Sequence, residues 1–357
     1  MSIERLEPAP ERDALESAAE RGDFEPAAER GDFDPASERG DFDSASERGR
    51  LEPTPEKPTV KERVREKQHA AKQKVYDKTP DRFKNANALQ VRFRTGFVYV
   101  AVSVICVLAG NTPTMVYLSL VSAICAGEFF YMMRVDAKLP NEVIGIIGAA
   151  AYPIAMWRWG FPGVGLVTIG LMLALLVWYV YYMRARIPDL GVSFFGAAYT
   201  GMLMSSLILV RQAVPSPWGG VLVLLLLCSV WFNDAGAYLV GSRFGKHKLA
   251  PLTSPKKSWE GFIAGLVVSV GFWCLMTLVP GVQMSVSQAI VFGLLCGGAG
   301  VLGDLAESRI KRNVGVKDSG TIMPGHGGLL DRCDSMFLAA VVAAVLLFGA
   351  GCIPYVW

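Results

Sequence analysis

From about residue 90 onward the chain alternates long apolar runs with short polar joints, whereas the stretch before it is almost wholly polar. Nine apolar segments follow one another, at roughly residues 95–110, 113–133, 141–160, 163–183, 192–210, 218–240, 260–279, 286–305 and 330–351, each near the ~20 residues a helix needs to cross the hydrocarbon of a bilayer. Only Asn111-Thr112-Pro113 separates the first two, which predicts a tight helical hairpin. Pro140, Pro162, Pro188, Pro217 and Pro280 fall at other joints, where a helix is interrupted. The pattern predicts an all-α polytopic membrane protein of about nine transmembrane helices over residues 91–357, preceded by a tail over residues 1–90.

The tail opens with a repeat. ERGDFEPAA, ERGDFDPAS and ERGDFDSAS begin at Glu20, Glu29 and Glu38, and a broken copy starts at Glu47. A nine-residue period with Gly, Asp and Pro matches neither a heptad nor a solenoid unit. One aromatic per copy (Phe24, Phe33, Phe42) is too little burial to offset ordering the chain, so the tail is expected to be a disordered, solvated spacer. Its Phe-bearing copies are alternatively docking points for a partner. From Lys61 to Arg94 it turns basic, which suits either an anionic cytoplasmic leaflet or a topology signal. Both readings put the N-terminus in the cytoplasm, and no cleaved signal peptide is expected.

With that end inside, the connections holding Arg134 and Lys138, Arg184 and Arg186, Arg243 to Lys257, and Arg309 to Lys317 are all cytoplasmic. The other side receives only Arg158 and Arg211, which satisfies the positive-inside rule. An odd number of spans puts Trp357 outside, in a membrane of the bacterial inner (plasma) type. The formal net charge of +3 averages a polar tail with an apolar body and gives no reason to expect a nucleic-acid partner. The seven cysteines are scattered without CxxC spacing and read as small buried hydrophobes, which excludes a zinc site or disulfide framework.

Two joints carry polar residues that topology does not require: Asn233 to Gly261, and Gly303 to Ser335. Asp304 precedes Ser308 and Lys311 at i+4 and i+7, so the three share a helical face. Asp331 and Asp334 share another, and Asp234 lies at the end of the sixth span. A charge facing lipid near the bilayer centre costs on the order of 3 kcal/mol, so these carboxylates are expected to face a polar cavity open to the cytoplasm. Carboxylates with a nearby hydroxyl are hard oxygen donors suited to Mg²⁺. Ringed by Arg243, Lys246, Lys256, Lys257, Lys311, Arg312, Lys317 and Arg332, they describe a polyphosphate site. Gly241, Gly245, Gly325, Gly327 and Gly328 would let backbone N–H groups approach phosphate oxygens. Each feature alone has a plainer explanation: Lys and Arg in topology, carboxylates in ion pairs, His326 as a satisfied polar residue, glycines in helix packing. Their density and order within about thirty residues point to chemistry.

The second joint resembles the signature of the CDP-diacylglycerol synthases, which are phosphatidate cytidylyltransferases. Ser308, Lys311-Arg312, Lys317-Asp318, Pro324, His326-Gly327-Gly328, Asp331-Arg332 and Asp334 meet it at every spacing. The first joint is similar to further segments of that family through Asp234, Ala237-Tyr238, Gly241, Phe244-Gly245 and Ser254-Pro255-Lys256-Lys257. Met323 and Cys333 depart mildly from the pattern, and the repeats have no counterpart in it. The resemblance implies attack by the phosphate of phosphatidic acid on the α-phosphorus of CTP, releasing pyrophosphate, and it implies a homodimer. It assigns Asp304 and Asp331 as ligands of Mg²⁺, with Asp334 and Asp234 next and a second cation open. Lys311, Arg312, Lys317 and Arg332 would hold phosphates, while Lys256 and Lys257 would engage the lipid headgroup or CTP. Ser254, Ser308, Asp318, Arg243, Gly327 and Gly328 complete the expected substrate contacts. The nucleophile is already ionised near neutral pH, so His326 is better placed as a phosphate contact than as a base.

A CTP-dependent lipid or polyprenol kinase is the neighbouring alternative. A transporter is a distant one, disfavoured because the polar residues concentrate at one membrane face and the two halves show no inverted repetition. Arg158, on the side away from these joints, is expected to be dispensable. Arg158→Ala should retain activity within about twofold of wild type, and a large loss in a protein that still folds would reverse the orientation.

Overall fold

Within a bilayer the backbone must satisfy its own hydrogen bonds, so each apolar run becomes a helix. The structure, a computed structural model, describes residues 88–134, 138–251, 253–323 and 327–354. The repeats, most of the basic stretch and His326 lie outside the described residues. The helices are α1 (Ala88–Leu108), α2 (Asn111–Met133), α3 (Glu142–Tyr181), α4 (Ile187–Ala213), α5 (Trp218–Phe244), α6 (Trp259–Met276), α7 (Val286–Asn313) and α8 (Leu330–Gly349).

Among the described residues, α2 to α8 are seven helices long and apolar enough to cross a membrane, and α1 adds a shorter apolar stretch at Phe93–Leu108. The chain is an integral membrane protein. Its outer surface carries exposed aliphatic side chains such as Val143, Leu166, Ile169 and Val267, as lipid contact requires.

Gly110, at φ 133°, turns α1 into α2, and Thr114 Oγ1 donates to the Gly110 carbonyl at 2.7 Å, so the expected hairpin is present. The 40 residues of α3 are about twice what a bilayer needs. Gly160 breaks them at φ 62°, ψ −144°, two residues before Pro162. The two halves then fold back on each other. Tyr152 Oη lies 3.1 Å from Thr168 Oγ1, although sixteen residues of straight helix would separate them by about 24 Å. A Cβ on Gly163 would come within 2.5 Å of the Ala155 carbonyl, so the turn closes backbone to backbone. Counting α3 as two passes gives nine apolar passes among the described residues, in the order the hydropathy pattern predicts.

The structure differs from the sequence expectation in two places, the hairpin and Arg211, and extends one helix as the shared face of Asp304, Ser308 and Lys311 predicts. A short antiparallel hairpin, β1 (Lys248–Ala250) with β2 (Ser254–Ser258), stands between α5 and α6, with Lys248 opposite Ser258 and Ala250 opposite Ser254. This segment is too polar for the hydrocarbon and carries Pro251 and Pro255, so its backbone is satisfied by a ladder instead of a helix. Helix α7 continues past the apolar run to Asn313, which places Ser308, Lys311 and Arg312 on the same rigid rod as Asp304. Arg211, expected at the far surface, is buried: its Nε donates to the Val107 carbonyl at 3.2 Å and its Nη2 to Ser216 Oγ at 3.0 Å, tying α4 to the end of α1.

Gly160 needs a left-handed backbone that a side chain resists. Gly160→Ala should destabilise the protein by about 1–3 kcal/mol, read as a lower melting temperature in detergent. Gly165→Ala, where an added methyl meets nothing within 4 Å, should leave it unchanged.

Candidate active site

Three helices, α5, α7 and α8, meet with their polar residues together, and glycines set how closely. A Cβ on Gly303 would lie 2.5 Å from the Asp334 carbonyl oxygen, so α7 and α8 touch backbone to backbone one residue before Asp304. On the other flank a Cβ on Gly261 would meet the Ala237 carbonyl at 2.5 Å, which draws α6 against α5. Gly241 and Gly245 pack against Ser258, the N-cap of α6, whose Oγ accepts from Gly261 N at 3.2 Å. These glycines bring the elements that carry the polar residues close together.

At the junction, Lys311 Nζ donates to Glu307 Oε2 and to Asp331 Oδ1, each at 2.6 Å. Asp331 also accepts from Ser319 N at 3.0 Å and Gly328 N at 2.9 Å. Asp304 Oδ2 lies 2.6 Å from Lys257 Nζ, and Asp304 Oδ1 accepts from Ser308 Oγ at 3.1 Å. Lys257 and Asp304 form an ion pair, and an ammonium has three N–H donors, so one such contact does not exhaust them. Asp234 Oδ2 accepts from Ser335 Oγ at 3.2 Å, and Asp334 Oδ1 accepts from Ser335 N at 2.6 Å. Asp334 interacts electrostatically with Asp304, Glu307 and Asp234, and Asp234 in turn with Asp304, Lys257 and Arg332.

Five carboxylates (Asp234, Asp304, Glu307, Asp331, Asp334) thus face three cations (Lys257, Lys311, Arg332). Among the described residues, no three His, Cys, Asp or Glu stand in ligating geometry. Asp234, Asp304, Asp331 and Asp334 are hard oxygen donors of the type a divalent cation takes. Each is engaged by protein groups here: Asp331 holds Lys311 and two backbone amides, as Asp304 holds Lys257 and Ser308.

The remaining expected residues divide by face. Along β2, Lys257 contacts Asp304 and Lys256 is exposed, with Ser254 half-buried at the strand start. Arg243 is exposed in the last turn of α5. Arg312 Nη1 donates to the Val316 carbonyl at 3.2 Å and braces the loop after α7. Gly327, at φ 91°, packs on Asp331, and Gly328 lends Asp331 its amide. Lys317 and Asp318 line a cavity of about 610 Å³ beside the carboxylates, together with Ile124, Glu128, Tyr131 and Ile322. Its walls mix apolar and charged groups, and Asp234, Asp304, Asp331 and Asp334 are not among its lining residues.

A family model described as the cytidylyltransferase family matches residues 90–349, the span that holds every residue named above as part of the site. The chain belongs to the cytidylyltransferase family. The phosphatidate cytidylyltransferase of Staphylococcus haemolyticus is 32% identical over 266 residues, covering 72% of this chain and 99% of that protein. The same-named protein of Staphylococcus aureus (strain COL) is 32% identical over 265 residues, at the same coverage. That of Bacillus subtilis is 30% identical over 259 residues, covering 69% of this chain and 93% of its own length. The chain is therefore a nucleotidyltransferase.

In this cytidylyltransferase two acidic residues joined the site that sequence reasoning passed over. Glu307 lies three residues after Asp304 and four before Lys311, so the helical-face argument applied to those two already includes it. Glu128 is a carboxylate inside an apolar span, which is itself a flag for function. Both are almost fully buried.

The two adjacent lysines of β2 separate the family chemistry from plain surface charge. Lys257→Ala should cost tenfold or more in turnover, roughly the loss of one charge-assisted contact. Lys256→Ala should stay within about twofold of wild type. Steady-state kinetics of the two purified variants checks this, and equal losses would mean that the strand does not sort them.

Proposed function

We propose that the chain joins phosphatidic acid to CTP, yielding CDP-diacylglycerol and pyrophosphate for phospholipid synthesis. The observation that carries this reading is the meeting of Lys257, Lys311 and Arg332 with an excess of carboxylate in one place, within a member of the cytidylyltransferase family. A phosphate oxygen of the lipid forms a bond to the α-phosphorus of CTP, the bond from that phosphorus to the β-phosphate bridging oxygen breaks, and pyrophosphate leaves with those electrons. No proton need be removed from an ionised phosphate, so the residues serve charge and position more than acid–base exchange.

Bringing an anion up to a triphosphate is opposed by terms of roughly 4 kcal/mol for each pair of charges 4 Å apart at an effective dielectric near 20. Lys257, paired with Asp304 and with N–H donors beyond that contact, is disposed to receive phosphate oxygens. Lys311 is held from two sides by Glu307 and Asp331, so it presents its charge with little reorganisation. Arg332 adds a third cation near Asp234. Asp304 and Asp331, with Asp334 and Asp234 beside them, would hold Mg²⁺, which when bound supplies charge neutralisation on the nucleotide phosphates. Lys317 and Asp318, at the cavity of about 610 Å³, would contact CTP or the lipid headgroup, and the apolar wall of Ile124, Tyr131 and Ile322 suits the lipid.

The orientation we propose has the N-terminus, the loops carrying these residues and the site itself in the cytoplasm, and the C-terminus outside, in a bacterial inner membrane. The basic residues of the connections support it. A homodimer is the assembly that the family resemblance favours.

Purified protein given Mg²⁺, phosphatidate and CTP should produce a nucleotide-lipid of CDP-diacylglycerol mass together with pyrophosphate. A phosphorylated lipid with CDP would instead indicate a kinase. Asp304→Asn should lower turnover by about 10²-fold or more while the protein stays in the membrane, and full activity in that variant would remove Asp304 from the ion site.

A further inference from the structure

The first turn of α8 carries Asp331 and Asp334, yet its own N-cap residue, Leu329, has no side-chain acceptor for the helix's unpaired N–H groups. The acceptor comes from another helix. Glu128 of α2, only 5% exposed, accepts the Leu330 N–H through Oε2 at 2.8 Å, across 202 residues of sequence. The connection between α7 and α8 is shaped around this carboxylate: a Cβ on Gly320 would come 2.4 Å from Oε1, and one on Gly328 would come 2.5 Å from Oε2. Gly328 N and Ser319 N, on either side, are the amides that hold Asp331.

We infer that Glu128 is a positioning residue for cytidylyl transfer, capping α8 in trans and thereby setting where Asp331 holds Lys311 and where Asp334 faces Asp304. The inference rests on the proposed reaction of this site, and the role it adds is exerted through the start of α8, although Glu128 also borders the cavity. An anionic acceptor at a helix N-terminus is favoured both by its hydrogen bond and by the helix dipole. A carboxylate buried in a span is otherwise costly, and the Leu330 N–H supplies a reason for it to be there. What the cap requires is an acceptor oxygen at the reach of a Glu side chain. A negative charge alone, one methylene short, would not serve.

That requirement separates two conservative variants of the full-length protein. Glu128→Gln keeps an acceptor at the same reach and should retain kcat within about fivefold of wild type. Glu128→Asp keeps the charge but draws it back, and should lose tenfold or more in kcat with the KM for CTP within about threefold. In hydrogen–deuterium exchange the Leu330 amide should be protected in wild type and in Glu128→Gln, and exchange faster in Glu128→Asp. An inactive Glu128→Gln with wild-type melting temperature, a fully active Glu128→Asp, or equal Leu330 protection in both variants would overturn the assignment. Failure of wild type itself to form the nucleotide-lipid would instead strike the proposed reaction, so the two failures are told apart.

Discussion

Lys311 joins Glu307 on its own helix to Asp331 on the next, at 2.6 Å on each side, and this bridge ties the end of α7 to the start of α8. Three charges buried at the junction of two membrane helices are tolerable only as a closed set, because leaving any one unpaired costs several kcal/mol. Once Lys311 is held from both sides, Asp304 one turn earlier and Asp334 one turn later are brought to face each other. Asp234 and Lys257 then complete the group from α5 and β2.

Helix proximity makes this possible. Gly303 lets α7 lie against the backbone of α8 at Asp334, and Gly261 does the same for α6 against α5. Any side chain at those positions would hold the helices apart and separate carboxylates that must act together. Gly303 and Gly261 thus set the distances between the helices that carry the charged groups.

The small hairpin between α5 and α6 illustrates how non-helical backbone persists beside a membrane domain. It brings Lys257 to Asp304 and leaves Lys256 at the surface, so two neighbouring identical residues acquire different surroundings. Glu260, at the start of α6, accepts the His247 amide at 3.2 Å and its Nδ1 at 2.7 Å, and so anchors the hairpin's entry to the helix that follows it.

Hydropathy and spacing determined the membrane character, the order of the passes, the α1–α2 hairpin and the membership of Asp304, Ser308, Lys311 and Asp334 in one site. Those features are local: a helix needs about 20 apolar residues, and a helical face repeats every 3.6. The tertiary structure alone decided that Asp331 holds Lys311 between two helices, that Gly241 and Gly245 pack against Ser258, that Arg211 is buried against α1, and that Glu128 reaches the start of α8. Each of these depends on a contact between residues far apart in the chain, and a one-dimensional pattern carries the chemistry of both partners without the distance between them.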